Sequence, residues 1–206
     1  MICFSDTDIL LKLFHFGLMK QALAALGVSE KEVYVTAEAA AKCRRSKRTR
    51  TDFRQETLNQ ALDFLKQVHV ISKLGDLEEL KQLENISNGM DTGETTLFLA
   101  TKDLPDFLLL TGDKNALRAL TDNFLSQELH NRHLRRVVCL ESLILLILKQ
   151  IGFASIQMKL IGGQGCDEAI KNCLNGGKAS EAEFVRSMES YIRKLEEETQ
   201  GLLKQF

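Results

Sequence analysis

Short apolar runs alternate with longer segments of helical periodicity through residues 1–153. Four runs rich in apolar and β-branched residues predict strands: MICF, EVYVT, DFLLLTGD and RRVVCL. Segments with apolar residues at helical spacing predict helices: ILLKLFHFGLMKQALAAL, which stops at Gly27, AEAAAKCRR, TLNQALDFLKQVHVI, LEELKQLENI, ETTLFLATK, NALRALTDNFL and ESLILLILKQIGF. Helices that alternate with all-apolar strands are typical of a parallel sheet covered on both faces. The sequence therefore predicts an α/β fold with three α/β/α layers and a short, mostly parallel sheet.

The pattern changes after Phe153. The glycine-punctuated segment IGGQGCDEAIKNCLNGGKAS is followed by a long charged amphipathic helix, which Ser180 and Glu183 begin with the spacing of a capping box. We therefore expect one domain over residues 1–153, with a basic and helical insertion at about 42–90, and a C-terminal helical extension over 154–206.

Composition limits the classes of function. A formal net charge of −1 gives the chain no overall attraction to nucleic acid or membrane, so any such partner must be recognised by a local cluster. The longest apolar stretch, VVCLESLILLIL, contains Glu141 and is too short to span a bilayer. Five cysteines without CxxC spacing, and a start without a signal-peptide pattern, predict reduced thiols in a soluble cytoplasmic protein.

Acidic residues follow the predicted strands. Asp6 and Asp8 come after the first strand, Asp113 after the third, and Asp91 with Glu94 opens the helix before the third strand. Parallel strands end at one edge of a sheet, where ligand sites lie, so these acids are expected to converge. Crowded carboxylates repel unless a cation lies between them, and their hard oxygens favour Mg²⁺ or Mn²⁺. Alternatively, each acid is a helix cap, and that reading stays open.

Three of these motifs resemble those of PIN-domain nucleases. FSDTDILLKL is similar to the opening strand of the family and supplies Asp6, GETTLFLA to its middle motif and supplies Glu94, and LLLTGDKNALRAL to its later motif and supplies Asp113. RRVVCLESLILLIL resembles the closing strand and helix, so the likeness covers roughly residues 1–150.

The resemblance implies a Mg²⁺- or Mn²⁺-dependent endoribonuclease, with RNA favoured over DNA, in which Asp6, Glu94 and Asp113 are the catalytic metal ligands. Many family members carry a further acid after the second strand, but here Glu38 lies a turn early and Lys42 is nearer that place. Asn115 stands where another acid often follows. A second ion would therefore need further ligands: Asp8, Asp91 or Glu38. Supporting residues beside these motifs are Thr7, Thr111 and Asn115.

The segment KCRRSKRTRTDFR is strongly basic on a nearly neutral chain. Such a patch binds phosphate backbones through electrostatic attraction, while a solvated helix face is the alternative. The predicted nucleic-acid contacts are Arg44, Arg45, Lys47, Arg48 and Arg50.

Other functions remain open at this point. A catalytically weak or inactive PIN-like module would keep the acids as caps and use the insertion and the tail helix to bind nucleic acid or protein. The D-T-D sequence also resembles the start of haloacid-dehalogenase phosphatases, with Asp6 as nucleophile and Asp8 as acid and base, but the later motifs of that family are missing. Within the nuclease interpretation, further options are a toxin with an inhibitory antitoxin-like protein, and a homodimer through the apolar helices after Arg136.

Overall fold

The computed structural model describes residues 1–71, 90–121 and 124–206. The predicted helix LEELKQLENI lies outside these residues. Five strands form one sheet in which every neighbouring pair is parallel, in the order β3-β2-β1-β4-β5. The strands are β1 Ile2–Ser5, β2 Val33–Val35, β3 His69–Val70, β4 Phe107–Leu110 and β5 Val137–Val138. The α/β class and the parallel sheet are therefore confirmed.

Twelve α-helices are present in the described part of the chain. They are α1 Thr7–His15, α2 Met19–Leu26, α3 Ala39–Arg45, α4 Lys47–Asp52, α5 Gln55–Leu65, α6 Thr92–Leu99, α7 Lys114–Ala119, α8 Phe124–His133, α9 Leu140–Ile151, α10 Phe153–Gly163, α11 Glu168–Leu174 and α12 Glu181–Thr199. The predicted capping box of α12 is confirmed, because Ser180 and Glu183 exchange side-chain and backbone hydrogen bonds.

Two predicted helices are divided in the structure. The helix expected to end at Gly27 does end there, in a left-handed conformation, but it breaks near Gly17, whose φ of 62° no helix accommodates. The segment NALRALTDNFL forms the end of one helix and the start of another, because α7 ends at Ala119 and α8 begins at Phe124.

A third helix was predicted too long. The segment TLNQALDFLKQVHVI is helical only to Leu65, and His69 and Val70 pair with β2 as a fifth, edge strand. Its apolar residues satisfy both the helical and the strand pattern over such a short distance, so the sequence alone does not separate the two.

The sheet has an apolar core on each face. Alternate residues of a strand point to opposite sides, so Cys3 and Leu108 join one cluster, and Phe4 and Leu109 join the other. The first cluster is completed mainly by α1, α2, α9, α10, α11 and α12, and the second by α6, α7 and α8. Helices therefore cover both faces, as expected for three layers.

The C-terminal helices pack into the core of the sheet. Phe153, Ile156, Phe184 and Met188 are buried in the same cluster as Cys3 of β1. The segment after α12 lies along β5, where the Lys204 amide donates to the Val137 carbonyl at 2.7 Å and Val137 forms a parallel bridge with Leu203. Residues 154–206 are therefore in direct contact with the sheet.

Within the described ranges, no single helix has both the length and the apolar composition needed to cross a membrane. Helices α1 and α2, taken as one span bent by 119°, meet those criteria together.

Candidate functional site

A cavity of about 330 Å³ lies beside the residues that follow β1 and β4. It collects residues from five separated parts of the sequence. Its lining consists of Asp6, Asp8, Leu11, Lys12, Lys42, Ser46, Thr49, Asp52, Phe53, Asp91, Glu94, Gly112, Asp113 and Cys166. The structure therefore brings together all three predicted catalytic acids, with Asp8 and Asp91 beside them.

Asp6 is fixed at the point where β1 passes into α1. Its amide donates to the Leu110 carbonyl of β4 at 2.9 Å, which ties the end of β1 to the neighbouring strand. Its carboxylate does not serve as a hydrogen-bonded cap of α1. Burial raises the pKa of the Asp6 carboxyl and the charge of Asp8 adds to the rise, while the positive charge of Lys42 and the nearby backbone amides of Asp8 and Thr7 lower it. The backbone of Asp6 is thus held in place by β4, and its side chain lines the cavity.

Glu94 and Asp91 form a capping box at the start of α6. The Glu94 amide donates to Asp91 Oδ1 and the Asp91 amide to Glu94 Oε2, each at 2.9 Å. Burial, together with a hydrogen bond from its side chain to that of Asp113, raises the pKa of Glu94 to about 8. A raised pKa is the effect expected where a partly buried carboxyl lies beside a second carboxylate, because the two negative charges repel each other.

Asp113 caps α7 with one of its two oxygens. Oδ1 accepts hydrogen bonds from the amides of Asn115 at 2.8 Å and Ala116 at 2.9 Å. The Asp113 amide donates to Thr111 Oγ1 at 3.1 Å, which fixes the turn after β4. The Thr111 hydroxyl and the Asn115 backbone amide are thus in contact with Asp113, and Thr7 is buried in the first turn of α1.

A partly buried lysine, Lys12, which is absent from the predicted site, lies along one side of the cavity. Lys12 Nζ lies 2.7 Å from Asp8 Oδ2 and 3.0 Å from Asp167 Oδ2. Asp167 also caps α11, because its Oδ1 accepts from the Ile170 amide at 2.9 Å. The i,i+4 spacing of Asp8 and Lys12 is a signal that could have revealed their pairing. The sequence offers no such signal for Asp167, which is far from Asp8 and Lys12 along the chain.

The predicted reserve ligand Glu38 lies elsewhere. It is exposed at the N-cap position of α3 and does not belong to the cavity lining. One helical turn later, within α3, Lys42 does line the cavity. At this position the structure therefore presents a cation instead of the additional carboxylate that the resemblance implies.

The basic helices α3 and α4 form a wall of the cavity. Cys43, Thr49 and Phe53 are buried and anchor this wall, and Ser46, Thr49 and Phe53 also line the cavity. Four predicted nucleic-acid contacts are exposed on the wall: Arg44, Arg45, Lys47 and Arg50. The side chain of Arg48 lies outside the described part. A strong positive field therefore borders the acidic cavity.

The donor chemistry of the site fits a hard divalent cation. Asp6, Glu94 and Asp113 line the same cavity and offer carboxylate oxygens, which are the ligands that hard divalent cations prefer. No group of three or more His, Cys, Asp or Glu side chains is arranged around one metal position in the described residues. A bound ion would therefore require the carboxylates to turn toward it.

None of the protein-family models, curated proteins or solved structures compared with the chain matches it.

Proposed function

We propose that the chain is a PIN-like, Mg²⁺- or Mn²⁺-dependent endoribonuclease. The observation that carries this proposal is the convergence of Asp6, Glu94 and Asp113, from three distant parts of the sequence, in one cavity. The exposed basic wall supports the proposal, because arginine and lysine side chains attract a polyanionic strand. Cations are also needed to offset the negative charge of the phosphate that is cleaved.

Each part of the site has a role under this proposal. Asp6, Glu94 and Asp113 would hold the divalent ion, whose bound form supplies Lewis acidity to a phosphate and to an attacking water. Glu94 would lose its proton when the divalent ion binds. Asp113 can bind with Oδ2 while Oδ1 keeps its cap hydrogen bonds. The arginines of the wall would hold the backbone of the substrate.

Asparagine substitutions at Asp6 and Asp113 test the site with little change of shape. Asparagine can still accept cap hydrogen bonds, so the Asp113→Asn variant keeps a capping side chain. We expect each variant to lose about 100-fold or more of its Mn²⁺-dependent RNA cleavage, because a charged ligand is lost at the reacting centre. Asp63→Asn, a change on the exposed face of α5, is the matched control and should cleave normally. Undiminished cleavage by both site variants would falsify the proposal.

A second candidate function is a non-catalytic PIN-like module that binds nucleic acid or protein. The cap hydrogen bonds of Asp91 and Asp113 favour it, because they give these acids a structural reason to be present. Thermal unfolding in millimolar Mn²⁺ separates the two candidates, since only a chain that binds the ion in its folded state gains stability. A melting temperature that does not respond to Mn²⁺ supports the module, which would then bind nucleic acid or protein through the insertion and the tail helix.

A further inference from the structure

Asp8 is already paired with a partly buried cation. Lys12 Nζ lies 2.7 Å from its Oδ2, and the lysine side chain is only 13% exposed. Burial alone would lower the pKa of Lys12, but the carboxylates of Asp8 and Asp167 raise it above the ordinary value. An ammonium held this firmly beside Asp8 repels a divalent ion from that carboxylate. Asp8 is therefore poorly suited to bind a second metal ion.

Lys42 presents a second positive charge to the cavity. It lies in α3, lines the cavity, and acts electrostatically on Asp6 from there. Among the described residues, the ion pairs at this cavity join Lys12 to Asp8 and to Asp167 and do not include Lys42. Glu38, the acid one turn earlier, is directed to solvent. The side of the cavity that faces Asp6 is therefore occupied by a cation that remains able to bind an anion.

We propose that the site binds one divalent ion, and that Lys42 supplies the second positive charge by contacting the substrate phosphate. This inference rests on the proposed nuclease function and specifies its charge arrangement. Lysine binds phosphate as a point charge, and an ammonium at the developing negative charge stabilises the transition state. Lys42 is then a catalytic residue, whereas Lys12 is a positioning residue that fixes Asp8.

Metal binding and cleavage should respond to Lys42 in opposite directions. Titration calorimetry with Mn²⁺ alone should give one ion per wild-type chain. Lys42→Ala should bind Mn²⁺ several-fold more tightly, because a repelling charge is removed, while its RNA cleavage falls about 100-fold. Lys42→Arg keeps the charge and should restore much of the cleavage. Lys20→Ala, an exposed change in α2, is the control and should leave both measurements unchanged.

The outcomes separate this inference from the proposed function. Two Mn²⁺ ions per wild-type chain, undiminished cleavage by Lys42→Ala, or weaker Mn²⁺ binding by that variant would overturn the role of Lys42 and leave the nuclease proposal standing. A wild-type chain that neither binds Mn²⁺ nor cleaves RNA overturns both. Melting temperatures of all variants, measured without metal, exclude loss of the fold as the cause.

Discussion

At the scale of single residues, a carboxylate can cap a helix and still have an oxygen free to bind a ligand. Asp113 shows this most clearly, because Oδ1 accepts both cap hydrogen bonds and the side chain still lines the cavity. Asp6 occupies an N-cap position without making a cap hydrogen bond. The positions of the acids after strands were enough to predict that they meet. The pairing of Lys12 with Asp167 was not predictable, since it depends on how the C-terminal helices pack.

The pH dependence of stability should report the environment of Glu94. Burial and the hydrogen bond with Asp113 raise its pKa from about 4.5 in the unfolded chain to about 8 in the folded protein, so the folded state binds more protons between these values. Stability of the metal-free protein should therefore fall as the pH rises from about 4.5 to 8. Glu94→Gln keeps a capping-box side chain and should remove much of this fall. Urea unfolding of both proteins at pH 5.5 and pH 8 measures the change in the free energy of unfolding.

The capping box of α12 provides the control for this experiment. Glu183 makes the same exchange with Ser180, but it is exposed, and its hydrogen bonds to Ser180 lower its pKa. It is therefore ionised in both states above pH 5.5. Glu183→Gln should leave the difference in stability between pH 5.5 and pH 8 unchanged. If it reduces that difference as much as Glu94→Gln does, the burial of Glu94 is not the cause.

At the scale of elements, type was easier to predict than extent. Apolar runs predict the strands β1, β2, β4 and β5, but the pattern over β3 predicts the end of a helix. Two exposed residues, His69 and Val70, carry too little pattern to mark a strand, and only their pairing with β2 defines it. The boundaries of elements that depend on long-range pairing therefore cannot be predicted from the local sequence pattern.

The contact of α10 with the end of α1 depends on a residue without a side chain. A Cβ added at Gly163 would lie 2.7 Å from Phe16 Cδ1 and 2.9 Å from Phe16 Cε1. Phe16 is buried and cannot move freely, so Gly163→Ala should lower the free energy of unfolding by about 1–3 kcal/mol. Gly162→Ala is the neighbouring control, because nothing lies within 4 Å of its added Cβ. Chemical denaturation of both variants measures the difference, and equal stability would contradict the packing.

At the scale of the whole molecule, the alternation of strands and helices was sufficient to predict the parallel sheet and its covered faces. It did not predict that the helices after Phe153 complete the core on one face. Phe184 of α12 is fully buried there, with its ring centroid 5.3 Å from that of Phe153. The amphipathic pattern shows only that α12 has an apolar face, and the identity of its partner is a tertiary property.

A core shared in this way predicts one cooperative unfolding transition for the full chain. Phe184→Ala should destabilise the protein by about 3–5 kcal/mol, because a large buried side chain is removed. Hydrogen exchange should then show that β1 and α12 lose protection together. The control, Met158→Ala, alters a side chain that is 73% exposed and should change stability little. Loss of protection confined to α12 would mean that the extension is a separate folding unit.

The chain segment that follows α12 has a consequence for self-association. An uncovered outer strand offers free main-chain donors and acceptors to neighbouring molecules, which is a common origin of aggregation. Here the amides of Arg136 and Val137 donate to Leu202, and the Val137 carbonyl accepts from Lys204. The β5 edge is therefore already occupied by the protein's own backbone, so growth of the sheet from copy to copy is blocked on that side.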